Sequence, residues 1–166
     1  MKSIEEIKKI PIKELKKTID KARSSLKNDP VWIEVCKEHE QEPELIDYIP
    51  IKFDDLDVTA KTIHGVIVLN YKLLCEDQFE DQYSYIIHEG THFLQQCFGD
   101  KPTQGADDGD YLSNPYEQEG FQNQIKHISD HKGDDEAEDY VDHLLDHHDV
   151  SKKDREDKKE TLMAKV

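Results

Sequence analysis

Residues 88–92 read His-Glu-Gly-Thr-His, and their neighbours Ile86, Ile87, Phe93 and Leu94 are apolar. Ile87, Leu94, Cys97 and Phe98 share a side at helical spacing, and Gly99 stands where a C-terminal cap belongs. The pattern predicts a helix over about 79–98. A helix that is apolar around two imidazoles is a buried helix, and buried imidazoles need polar partners. The fold must therefore bring further polar groups to that helix.

Positions four apart share a helix face. His88 and His92 can then both reach one Zn²⁺ at the usual ~2.0–2.1 Å. Glu89 stands beside such a metal but off its ligand edge, where a carboxylate can take a proton from a metal-bound water. The plain alternative is a surface helix that happens to carry two histidines. The apolar surroundings and a β-branched strand just upstream argue against it. A catalytic zinc needs a third protein ligand and one open position. Phe98, not a histidine, occupies the sixth place after His92, and the glycine spacing of the longer metzincin pattern is absent. The third ligand is expected from a later helix. Pro115 favours a helix start, and Glu117 and Glu119 follow in its first turn. At about 100° per residue only one of them can point squarely at the metal.

The remaining elements follow from periodicity. Leu15, Ile19, Ala22 and Leu26 predict an amphipathic helix over about 12–27, and Asn28-Asp29-Pro30 ends it and starts a second over about 30–40. Ile49, Ile51 and Phe53 alternate with polar or turn residues as in a half-buried strand, and 58–63 can form another. Val66-Ile67-Val68-Leu69-Asn70 is short, apolar and β-branched, as a covered sheet strand is. Residues 99–115 read as a loop, and helices are expected over about 115–130 and 134–149. Ser151 to Lys159 alternates charge without an apolar anchor, as a fraying helix end or a disordered tail does.

Charged residues make up 36% of the 166 and hydrophobic ones 35%, so the core is modest and part of the chain is expected to be a solvated or mobile tail. The formal charge of −16 repels phosphate, which argues against nucleic acid and anionic membranes as partners. Charge is uneven: residues 1–28 hold nine Lys/Arg against four Asp/Glu, and residues 129–166 hold seven against thirteen. No stretch approaches the ~18 apolar residues of a membrane span, and the first residues lack the apolar run of a secretory signal. Cys36, Cys75 and Cys97 form no Cys-x-x-Cys, as expected of free thiols in a reducing cytoplasm.

His88, Glu89 and His92, the Ile67-Val68-Leu69-Asn70 strand and the Asn114-Pro115-Tyr116-Glu117-Gln118-Glu119-Gly120 segment together resemble the gluzincin-type zinc metallopeptidases. The likeness is to small intracellular or phage-type forms with a minimal zincin fold, and it covers roughly residues 48–130. In such families two histidines and a downstream glutamate hold zinc, and the glutamate often opens a Glu-x-x-Ala or Glu-x-x-Ala-Asp pattern. Here Gly120 replaces the alanine, and the resemblance implies Glu117 as the ligand with Glu119 as its helper. Phe121 stands where the aspartate often follows, so the partner that aspartate gives a histidine is left unassigned.

The resemblance further implies that strand Val66, Ile67, Val68, Leu69, Asn70 binds an extended peptide or protein substrate by edge pairing. An ordinary central strand is the alternative. The implied reaction is peptide hydrolysis by a metal-activated water, with Glu89 as general base that later passes the proton to the leaving amine. A catalytically silent, zinc-stapled binding module with an acidic docking surface is the second reading. Tyr111, Tyr116, His64 and His127 are oxyanion-stabilising candidates by residue type alone. His143 and His147 are read as a solvated acidic face, and His39, His64, His127 and His131 as ordinary surface or core residues.

The expected fold is α+β and zincin-like, a small mixed sheet against the active-site helix and further helices. It forms one domain over 1–150, with N-terminal helices in 1–42, the sheet in 48–70, the metal site in 79–130 and a helix at 134–149. A charged tail over 151–166 follows.

Overall fold

A computed structural model describes residues 1–76, 78–99 and 111–166. Among them lie seven α-helices and one three-stranded mixed sheet, an α+β arrangement. The helices are α1 (Ile4–Lys8), α2 (Ile12–Lys27), α3 (Pro30–Glu38), α4 (Tyr83–Phe98), α5 (Pro115–Lys132), α6 (Asp134–His147) and α7 (Lys152–Leu162). The strands are β1 (Ile51–Asp54), β2 (Ala60–Ile63) and β3 (Val66–Asn70). Most of the expected 99–115 loop falls outside the described residues; Tyr111–Ser113 form a 3-10 turn.

Helix starts follow their caps. Asp29 accepts from the Val31 amide ahead of Pro30, and Asn114 accepts from Tyr116 and Glu117 ahead of Pro115. The short α1 was not expected from periodicity. Ser3 caps it, and it anchors through Ile7, which is fully buried.

The sheet order is β1-β3-β2, with β1 parallel and β2 antiparallel to β3. A two-residue turn joins β2 to β3, and both His64 (φ 51°) and Gly65 (φ 74°) take the left-handed backbone that such hairpins require. The order corrects one expectation. Val66 to Asn70 is the central strand, hydrogen-bonded on both sides, so it has no free edge for a substrate. Its burial is that of a strand covered on both faces, since Ile67, Val68, Leu69 and Asn70 are all buried. The edge strand nearest α4 is β2.

Two apolar cores result. The larger joins α2, α3, the sheet and α4 around Trp32, Leu26, Ile67, Leu69, Ile87 and Leu94. The smaller joins α5, α6 and α7 around Phe121, Ile125, Val141, Leu145 and Leu162. The expected tail is therefore largely α7, which packs on α5 and α6. Leu162 is its apolar anchor, while Arg155 pairs with Asp146 and Asp142 and Lys159 with Glu138 and Asp142. No helix among the described residues is long and apolar enough to cross a membrane.

Candidate metal centre

Helix α4 enters the larger core with its histidine face turned to α5. Trp32 packs so closely behind Gly90 that a Cβ there would lie 2.6 Å from the indole ring. Thr91 is fully buried, donates to the Ile87 carbonyl (2.9 Å) and accepts from Asn123 of α5 (3.0 Å). These contacts set the rotation of α4, and with it the direction of His88 and His92.

Three acceptor atoms converge between the two helices. His88 Nε2 and His92 Nε2 are 3.1 Å apart, and Glu117 Oε1 lies 2.5 Å from His92 Nε2 and 3.3 Å from His88 Nε2. The tautomers follow from the neighbours. Gln95 donates through Nε2 to the Tyr116 carbonyl (3.0 Å) and to Glu119 (3.3 Å), so its Oε1 is what faces His92 Nδ1 at 2.7 Å. That oxygen can only accept, so His92 Nδ1 carries a proton and Nε2 is the ring atom left for a second proton or a cation. Gln124 Oε1 does the same for His88 Nδ1 at 3.0 Å. Three potential ligand atoms thus face one point in a buried site, where a proton joins His92 Nε2 to Glu117 and a cation could stand in its place. Two ligands of one tetrahedral zinc, each ~2.0–2.1 Å from it, lie about 3.3 Å apart; the contacts of His88 with His92 and Glu117, at 3.1 and 3.3 Å, are close to this, and the 2.5 Å between His92 and Glu117 is shorter.

Electrostatics point the same way. Burial alone would raise the Glu117 carboxyl, but the contacts from His88 and His92 hold it well below the usual carboxylate range. Burial would lower His92, but Glu117 and Glu89 outweigh it and push it up to about 9. The negative charge that draws a proton to His92 also draws a metal.

Glu119 does not join the cluster. Its carboxylate turns the other way, to His39 Nε2 at 2.5 Å and to Gln95. Of the two glutamates, the geometry puts Glu117 on the histidine pair. Gly120 has a local reason too: a Cβ there would sit 3.0 Å from His88 Nε2, so a methyl would fit only if the His88 ring gave way by a few tenths of an ångström.

Glu89 is buried on the same helix, and the Thr62 hydroxyl of β2 lies 2.9 Å from both its carboxylate and its backbone carbonyl, sharing its one proton between them. Its other surroundings form a cleft of about 580 Å³, lined by Thr59, Ala60 at the start of β2, Asn70, His88, Glu89, Tyr111, Tyr140, His147 and His148, among others.

The four oxyanion candidates separate. Tyr111 lines the cleft; burial and the neighbouring Glu117 push its phenol far up, so it stays a hydrogen-bond donor. Tyr116 offers its carbonyl to Gln95 and does not line the cleft. His64 is exposed in the β2–β3 turn, and His127 is buried beside Asp29 on the far half of α5.

Several residues of the site escaped sequence reasoning. Gln95 lies one turn after His92, and Gln124 lies two turns after Glu117. Both spacings carry meaning only once the ligands are known. Tyr140 and His148 come from α6 and its C-cap, and the His148 ring stacks on Tyr111 at 5.1 Å. His147, expected on a solvated face, is exposed but also borders the cleft.

Comparison with family models, with curated proteins and with solved structures finds no match for this chain.

Proposed function

We propose that the chain is a zinc-dependent peptidase of zincin type, with His88, His92 and Glu117 as ligands and Glu89 as general base. One observation carries the reading: three potential ligand atoms, two of them on imidazoles that face glutamine side chains, meet beside a carboxylate that opens on a cleft. Zinc bound there would supply a Lewis acid and lower the pKa of a bound water.

The protein's own part is positional. Thr62 fixes the Glu89 carboxylate, which takes the proton of the attacking water and returns it to the leaving amine. Tyr111 is the cleft donor best placed by residue type to face a developing oxyanion. An extended substrate would add to β2, which is an edge strand whose first residue, Ala60, and its neighbour Thr59 line the cleft.

A purely structural zinc would favour a binding module and would use four protein ligands. Among the described residues, no fourth histidine, cysteine or carboxylate joins the three, which favours the catalytic reading.

The test is Glu89→Gln. Zinc content should equal that of the wild type by elemental mass spectrometry, while turnover of a quenched-fluorescence peptide library falls about 10²–10⁴-fold. Undiminished turnover would sink the mechanism. Wild-type protein that holds zinc but cleaves nothing would return the binding module.

A further inference from the structure

We propose that Asp29, His127 and His131 form a second site, for a divalent transition cation of the zinc or cobalt type. The residues stand far from Glu89, and the inference does not rest on the peptidase reading. His127 and His131 are four apart on α5, and their rings lie 4.2 Å apart, centroid to centroid. Both face one oxygen: Asp29 Oδ2 is 3.1 Å from His127 Nδ1 and 2.6 Å from His131 Nε2. The other oxygen, Oδ1, accepts the Val31 amide at 2.9 Å, so the carboxylate is held in place by the cap of α3. Asp29 and His127 are each 5% exposed.

An independent observation points to a ligand. His127 Nδ1 is inaccessible to solvent and makes no hydrogen bond of acceptable geometry, although the carboxylate is near. An orphaned buried polar atom is costly, and a cation shared with Asp29 and His131 would satisfy it. Entry is open, since the His131 side chain is 53% exposed and a cleft of about 320 Å³ adjoins the histidines, lined in part by Ser25, Ser84 and Asp81. That cleft leaves space for water to complete the coordination. Two imidazoles and one carboxylate suit zinc or cobalt better than calcium or magnesium. A bound ion would tie the C-terminal half of α5 to the start of α3.

The experiment is a Zn²⁺ titration of the metal-stripped full chain, by equilibrium dialysis and elemental mass spectrometry. A His143→Ala background breaks the other surface pair of histidines. Two equivalents are expected, falling to one in His131→Ala and one in Asp29→Asn, which keeps a helix cap. A His88→Ala/His92→Ala protein should also keep one, and lose it when His131→Ala is added. His131 is half-exposed, so its variant should fold even if Asp29→Asn does not. Unchanged stoichiometry in His131→Ala would overturn the second site and leave the His88–His92 centre untouched. An ion lost only with His131→Ala would uphold it and count against the first centre.

Discussion

His88 and His92 ride on a helix of the larger core and Glu117 on a helix of the smaller one, and the two helices are anchored very differently. Helix α4 is braced by α2, α3 and the sheet, with Trp32 filling the notch at Gly90. Helix α5 rests on a core of seven buried residues, the last of them, Leu162, delivered from the chain's C-terminal helix. Polar contacts join the halves: Thr91 with Asn123, His88 with Gln124, and Gln95 with Tyr116 and Glu119. Two apolar bodies thus share a polar seam, and the candidate metal ligands sit on it. On this view the α4 side is preformed and the α5 side depends on its neighbours.

The largest expected effect is that of metal removal. Stripping zinc held at a thousand times its Kd should cost about 4 kcal/mol of stability. Amide exchange should then rise first in α5, α6 and α7, and an equal rise in α4 would break the contrast. Next comes Leu162→Ala, which truncates a side chain only 1% exposed. Chemical denaturation should show a loss of about 3 kcal/mol; a loss below about 0.5 kcal/mol would mean that α7 is not part of the core.

Gly120→Ala follows, at about 1–3 kcal/mol, because its methyl meets the His88 ring. Unlike Leu162→Ala, it should also weaken zinc binding by the folded protein, and an unchanged zinc affinity would show that the seam can yield. The smallest is Gln124→Ala, which should lower zinc affinity about 10–100-fold in a chelator competition. The thermal midpoint of the metal-free protein should move little. A large drop there would make Gln124 a packing residue of the seam instead of an orienting partner for His88.

Local pattern made part of this legible. Helices α2, α4 and α5 and strand β3 lie close to where periodicity predicts them, and the His88–His92 spacing puts both imidazoles on one helix face, where the structure brings them together. What periodicity lacks is partner choice. The run Val66–Asn70 reads as a covered strand, but nothing in it tells that both its edges are occupied. Glu117 and Glu119 share a first turn, and their assignment needed His39 and Gln95, which draw Glu119 away. Glutamines such as Gln95 and Gln124 have no spacing signature, so their hold on the imidazoles emerges only when α4 and α5 meet. Helix α7 reads as a tail because its one buried anchor, Leu162, comes after a long run of charge.

The fit of Trp32 into the notch at Gly90 has a consequence for how the motif can drift. Written as a pattern, His-Glu-x-x-His leaves its two middle letters blank. In this chain those letters are spoken for: any side chain at position 90 collides with the indole, and position 91 must be a small hydroxyl that both donates to Ile87 and accepts from Asn123. Change at either place is hostage to a distant residue, so Gly90 would vary only in step with Trp32, and Thr91 only with Asn123. The blanks in the motif are where this lineage keeps its memory of its own packing.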